Sequence, residues 1–154
     1  MKIAVLSDTH GNYPGAVQAL SRYSDLSALI HLGDNHDDAF CIGIALGLPV
    51  IGVSGNCDPR GAAPRELTRT IGDVRFLMTH GDLFHVKSGL ERLIRRAEHA
   101  DVHAVLFGHT HVASITKLNG IILINPGCMK TGEGPGTHAI LSVTNGTVAA
   151  EIIE

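Results

Sequence analysis

Short apolar runs rich in Val, Ile and Leu recur at Ile3–Leu6, Ala28–Leu32, Pro49–Val53, Val74–Met78 and Ala104–Phe107. A strand covered on both faces needs such a run rather than strict alternation, so each predicts a buried β-strand. Helical spacing of apolar positions occupies Pro14–Tyr23 and Asp37–Leu46 between the first three strands, and Lys87–Ala100 before the fifth. Strands alternating with helices connect by right-handed crossovers into a largely parallel sheet. The last third changes character: Asn119-Gly120 separates Ala113–Leu118 from Ile121–Ile124, and Asn145-Gly146 separates Ala139–Thr144 from Thr147–Ile152. Asn-Gly supplies the two positive φ angles of a type I′ turn, so both pairs predict tight antiparallel hairpins. The expected fold is α/β, a four-layer αββα sandwich of two mixed β-sheets flanked by helices.

Composition narrows the function. A chain of 154 residues fits one domain and one core, read here as spanning 1–154. It is 44% hydrophobic and 18% charged, and no apolar run approaches the roughly 20 residues needed to span a bilayer, so no membrane partner is expected. The amino terminus meets Asp8 too soon to read as a signal peptide, which predicts a cytoplasmic protein. Cys41, Cys57 and Cys128 cannot all pair, and they lack the spacing of a metal knuckle, so reduced thiols are expected. A net charge of -3 with 4% aromatic residues argues against a dedicated nucleic-acid surface. Ten histidines are the outlying number, and their placement carries the chemistry.

Asp8-Thr9-His10 follows the first strand, Gly33-Asp34 the second, Gly55-Asn56-Cys57-Asp58 the third, His80-Gly81 the fourth and Gly108-His109-Thr110-His111 the fifth. Each cluster lies just beyond the carboxyl end of a strand, where the loops of an open α/β sheet converge on one crevice. Two carboxylates, four imidazoles and an amide are more ligand groups than one ion uses. The economical reading places Asp8, His10 and His111 on one divalent ion, Asn56, His80 and His109 on a second, and Asp34 between them. Nitrogen and oxygen donors admit Mn, Ni, Fe, Co or Zn, with manganese the expected ion. Two dications less two carboxylates and a hydroxide leave a positive site, suited to a small phosphate-ester substrate.

The pattern Asp-x-His, Gly-Asp, Gly-Asn-x-Asp, His-Gly and Gly-His-x-His, running in order from Asp8 to His111, resembles the calcineurin-like metallophosphoesterase superfamily. The short length, Gly-Asn-Cys-Asp and the closing Asn125-Pro126-Gly127 are similar to its small prokaryotic phosphodiesterase branch. The resemblance implies the ligand assignment above, the αββα fold, and in-line attack on the ester by a hydroxide bridging two divalent metal ions. Catalytic roles then fall to Asp34, Asn56 and His80, with Cys57 beside the site. Many superfamily members carry histidine at the place of Cys57, and a neutral thiol replaces it poorly as a proton donor. Either Asp58, His36 or His85 compensates, or the enzyme relies on leaving groups that depart without help, so phosphodiesters and activated esters are expected to be turned over better than alkyl monoesters. A phosphoesterase-fold protein-binding scaffold is the alternative, as in the retromer subunit that resembles this family; completeness of the seven ligand positions argues against it.

The remaining polar residues read as structural. His31 and His103 are expected to be satisfied within strands, His99 to be exposed at a helix end, and His138 to sit at a strand edge. Cys41 reads as core on an apolar helix face, and Cys128 as core or loop. Glu91, Arg92, Arg95, Arg96 and Glu98 form a solvated helix face, while Arg60 and Arg65 are better placed to meet a phosphate. Substrate specificity is expected in the loops 57–64, 81–88 and 129–137. Exposed sheet edges leave a homodimer or higher homo-oligomer open.

Overall fold

The computed structural model describes residues 1–132, 134 and 136–154; of the 129–137 loop, Glu133 and Pro135 lie outside the described residues. The strands are β1 (Lys2–Leu6), β2 (Leu26–His31), β3 (Val50–Gly52), β4 (Glu66–Ile71), β5 (Val74–Thr79), β6 (Ala104–Leu106), β7 (Ser114–Leu118), β8 (Ile121–Asn125), β9 (His138–Thr144) and β10 (Thr147–Ile153). The helices are α1 (Tyr13–Leu20), α2 (His36–Leu46) and α3 (Glu91–His99), with one turn of 3-10 helix over Asp82–Phe84. They form two five-stranded sheets, ordered β10-β9-β1-β2-β3 and β4-β5-β6-β8-β7. Both are mixed: β1, β2 and β3 run parallel while β9 joins β1 antiparallel, and β5, β6 and β8 run parallel between antiparallel β4 and β7.

Side-chain alternation along the strands builds the layers. Ile3 and Val5 of β1 meet Phe76 and Met78 of β5 in the core between the sheets. Ala4 and Leu6 point the other way and pack with Ala16, Leu20 and Ile42 of α1 and α2. Leu77 and Val105 likewise turn outward to Leu93 and Ala97 of α3. Every strand of the two sheet centres therefore buries both faces, which is why the sequence shows continuous apolar runs there. This is the expected αββα order.

Both Asn-Gly hairpins form as expected, with φ of 50° and 84° at Asn119 and Gly120 and 49° and 72° at Asn145 and Gly146. Three details differ from the sequence reading. An additional strand, β4, pairs with β5 through the Gly72-Asp73 turn. Helix α1 stops at Leu20, where the Tyr23 N–H closes a turn on the Leu20 carbonyl, 3.0 Å, and α3 starts only at Glu91, because residues 85–89 form a turn in which the Ser88 N–H bonds the His85 carbonyl, 2.8 Å. Cys41 is exposed rather than core, since α2 buries His36, Asp38, Ala39, Ile42 and Gly43 instead.

His138 opens β9, between β10 and β1, and is fully buried with neither ring nitrogen hydrogen-bonded among the described residues. Burial, with a smaller push from the Arg22 charge, lowers its pKa from 6.5 to about 4. The unfolded chain thus takes up this proton near pH 6.5 and the folded chain only near pH 4. Stability is full above about pH 6.5, falls as pH drops through that window and levels off below it. The effect is worth about 2 kcal/mol after allowance for solvent screening. Thermal melts in chelator from pH 7 to 4 should show this slope, and His138→Phe, which keeps a ring against Tyr23, should flatten it.

Candidate metal centre

The residues singled out at the strand ends converge. The ligand atoms of Asp8, His10 and His111 lie within 4.8 Å of one another, as do those of Asp8, Asp34 and His80. Asp8 Oδ1 is 3.0 Å from His111 Nε2 and 3.9 Å from His10 Nε2. Asp34 Oδ2 stands between the two halves, 3.7 Å from His10 Nε2 and 3.5 Å from His80 Nε2. His109 Nδ1 lies 3.1 Å from His80 Nε2. Asn56 is exposed, and its amide donates to Cys57 Sγ at 3.4 Å.

Backbone conformation, not only proximity, builds this site. Asp8, His10, Asp34, His109 and His111 all hold φ between 45° and 69°, the left-handed region that side-chain-bearing residues rarely enter. Such strain persists only where surrounding contacts over-determine it, and it gathers at functional sites. Two glycines make room for it. A Cβ on Gly55 would lie 2.2 Å from Asp34 Oδ1, and one on Gly108 would lie 1.9 Å from Ser7 Oγ.

Hydrogen bonds then aim the side chains of His80, Asp34 and Asp8. His80 Nδ1 donates to the Leu32 carbonyl at 2.8 Å, which leaves the Nε2 lone pair for the cavity. The Cys57 N–H donates to Asp34 Oδ1 at 2.9 Å and leaves Oδ2 free. Asp8 Oδ2 accepts from Ser7 Oγ and, at 3.1 Å, from the His109 N–H, so that Oδ1 is the oxygen left over. Both Asp58 oxygens accept backbone N–H groups, from Asp34 (2.9 Å), His36 (2.7 Å) and Gly55 (2.7 Å). Asp58 therefore clamps the Asp34 and Asn56 loops together, with both of its oxygens occupied as acceptors.

Charges follow the same design. Burial alone would raise the Asp34 carboxyl, but the His80 side chain and the Cys57 N–H hold it well below the carboxylate range. Burial would lower His80, yet Asp34 and Asp8 raise it above the ordinary histidine value. Burial and the neighbouring His80 and Lys87 charges lower His109. Cys57 is pushed up to about 11 by partial desolvation and the Asp34 carboxylate, which keeps the thiol neutral.

A cation fits this arrangement. Asp8 Oδ1 and His10 Nε2 are buried atoms without a hydrogen-bond partner among the described residues, and such lone pairs are costly unless something satisfies them. Two carboxylates gathered with the imidazoles of His10, His80 and His111 are a divalent-ion donor set.

Other residues fall outside the cluster. His36 is buried edge-on against Phe40, ring centroids 5.2 Å apart, and its ring packs over Gly52. His85 is exposed, and Arg65 is ion-paired with Asp82, tying the 81–88 loop to β4. His31 bonds the Thr9 hydroxyl (3.1 Å) and the Gly33 N–H (3.2 Å), and burial lowers its pKa to about 3, a structural histidine as expected. Supporting residues that sequence reasoning did not assign are Ser7 and the buried Asn125, whose amide donates to the Gly108 carbonyl (3.2 Å) and Thr110 Oγ1 (2.9 Å). Asn125 had one sequence signal, its position in Asn125-Pro126-Gly127. Cys128 is buried, its thiol on the Asp8 carbonyl at 3.3 Å.

Fold and site together define an α/β sandwich with a carboxylate–imidazole cluster at the strand ends whose donors could hold a metal ion. Residues 1–146 match the calcineurin-like phosphoesterase superfamily domain, and the chain belongs to that family. It is 32% identical over 148 residues to a probable metallophosphoesterase of Bacillus subtilis, covering 94% of this chain and 86% of that protein. It is 30% identical over 145 residues to a phosphodiesterase of Methanocaldococcus jannaschii, covering 82% and 83%. The zinc complex of Vps29 from Entamoeba histolytica has the same fold, with a TM-score of 0.81 at 19% identity over 99% of this chain and 98% of that one. No helix among the described residues is long and apolar enough to cross a membrane.

Proposed function

We propose that the protein is a dinuclear metal-dependent phosphodiesterase, a cytoplasmic hydrolase of small phosphate esters that uses manganese. The observation that carries this reading is the position of Asp34 Oδ2, within 3.7 Å of His10 Nε2 on one side and 3.5 Å of His80 Nε2 on the other. Asp8, His10 and His111 would hold one ion, Asn56, His80 and His109 the other, and Asp34 both. When bound, the ions supply a nucleophile at neutral pH and neutralise the phosphoryl oxygens. The chain does the rest: His80 is fixed through Leu32, Asp34 through Cys57, and the Asp8 and Asp34 loops by Ser7 and Asp58. Asn56, here turned to Cys57, would swing its amide oxygen toward the second ion.

Apart from the histidines assigned to the ions, no described side chain next to Asp34 offers a strong proton donor to a leaving oxygen. Cys57 is a thiol held neutral, Asp58 is spent as an acceptor, and His36 is buried against Phe40. General-acid help is worth about 10²–10⁴-fold. The protein should therefore turn over an aryl phosphodiester at least about 10²-fold faster than a simple alkyl phosphate monoester, in parallel assays with manganese. Comparable rates would count against the missing acid. The scaffold alternative predicts no hydrolysis of either.

A further inference from the structure

Cys57 does more in this structure than fill a loop. Its Sγ and the ligand atoms of His10 and Asp34 all lie within 4.8 Å of one another. Its N–H is tied to Asp34 Oδ1 at 2.9 Å, which fixes the residue beside the carboxylate. Of the three, Asp34 is buried, His10 is half-buried and Cys57 is exposed, so the sulfur stands on the solvent side of the cluster. An independent feature points at the same place. Asp8 is fully buried, its Oδ1 has no hydrogen-bond partner among the described residues, and that oxygen stands between His111 Nε2 at 3.0 Å and His10 Nε2 at 3.9 Å. A cation beside His10 thus meets carboxylate oxygen from within and sulfur from the solvent side.

Oxygen and imidazole donors suit hard and borderline ions, whereas thiolate selects soft ones. We propose that Cys57 is a conditional ligand of the ion beside His10: it stays a thiol when the ion is manganese and binds as thiolate when the ion is thiophilic, such as zinc or cadmium. In that step a metal–sulfur bond forms, the S–H bond breaks, and the proton leaves to solvent; no electron is transferred. The sulfur then occupies the solvent-facing position that an ester must reach, and its negative charge offsets the attraction for an anionic substrate. The same residue that lacks a histidine's acidity thereby makes the centre discriminate among metals. This inference rests on the dinuclear reading above.

The test uses the full chain carrying Cys41→Ser, which removes the other exposed thiol. Titrated with cadmium, it should show sulfur-to-metal charge-transfer absorption in the ultraviolet, lost when Cys57→Ser is added, while both chains bind cadmium by equilibrium dialysis. Manganese should produce no such band in either. Zinc should inhibit manganese-supported hydrolysis in the first chain and much less in the second. Cadmium bound without the band, or a band that survives Cys57→Ser, overturns the conditional ligand and leaves the dinuclear reading standing. A chain that binds neither cadmium nor manganese overturns both.

Discussion

Asp34→Asn should lower kcat on an aryl phosphodiester by about 10³-fold while the protein remains folded. The substitution keeps the shape and an oxygen to accept the Cys57 N–H at 2.9 Å, but removes the negative charge between His10 and His80. An amide shared between two cations is a far weaker bridge than a carboxylate, so manganese stoichiometry should fall from two ions per chain to one or none. Because the loss concerns an interaction needed in the transition state, kcat and kcat/KM should fall together. Steady-state kinetics paired with metal analysis checks this, and wild-type turnover in the variant would remove Asp34 from the mechanism.

Removal of metal should abolish activity and also soften the fold. The ligand oxygens of Asp8 and Asp34 sit in one buried cluster within 4.8 Å, where like charges repel unless a cation intervenes. A ligand at 100 times its Kd stabilises a protein by about 2.7 kcal/mol. For a chain of this size that corresponds to a rise in Tm of about 5–10 °C. Melting curves with saturating manganese and with chelator should differ by that amount at pH 7.5, and the difference should shrink in Asp34→Asn. Equal melting temperatures would mean that the folded chain holds no divalent ion.

Much of this was legible in the sequence because the fold and the site share one signal. A buried strand reads as an apolar run, and the polar residues that end the run are those the topology brings together; Asp8, Asp34, His80 and His109 each follow such a run. What the pattern hid has particular causes. Strand β4, reading Glu-Leu-Thr-Arg-Thr-Ile, is an edge strand with a partly solvated face, so it lacks the apolar run; the Gly72-Asp73 turn was its one signal. Helix α2 is apolar on more than one side, leaving Phe40 and Ile44 exposed, so composition alone placed Cys41 on the wrong face. The left-handed backbone of Asp8, His10, Asp34, His109 and His111 has no mark in the sequence, since it is imposed by the loops and not by glycine at those positions. Asp58 is the clearest case. Its carboxylate suggested a proton donor, while its three backbone hydrogen bonds make it a clamp, and only the folded loops reveal that.

The central claim is a pair of ions shared by Asp34. Crystals grown with manganese and measured at its absorption edge test it directly. Two anomalous peaks should appear about 3.5–4 Å apart, one beside His10 and one beside His80, with Asp34 touching both. A single peak, or two peaks of which Asp34 contacts only one, would contradict the account.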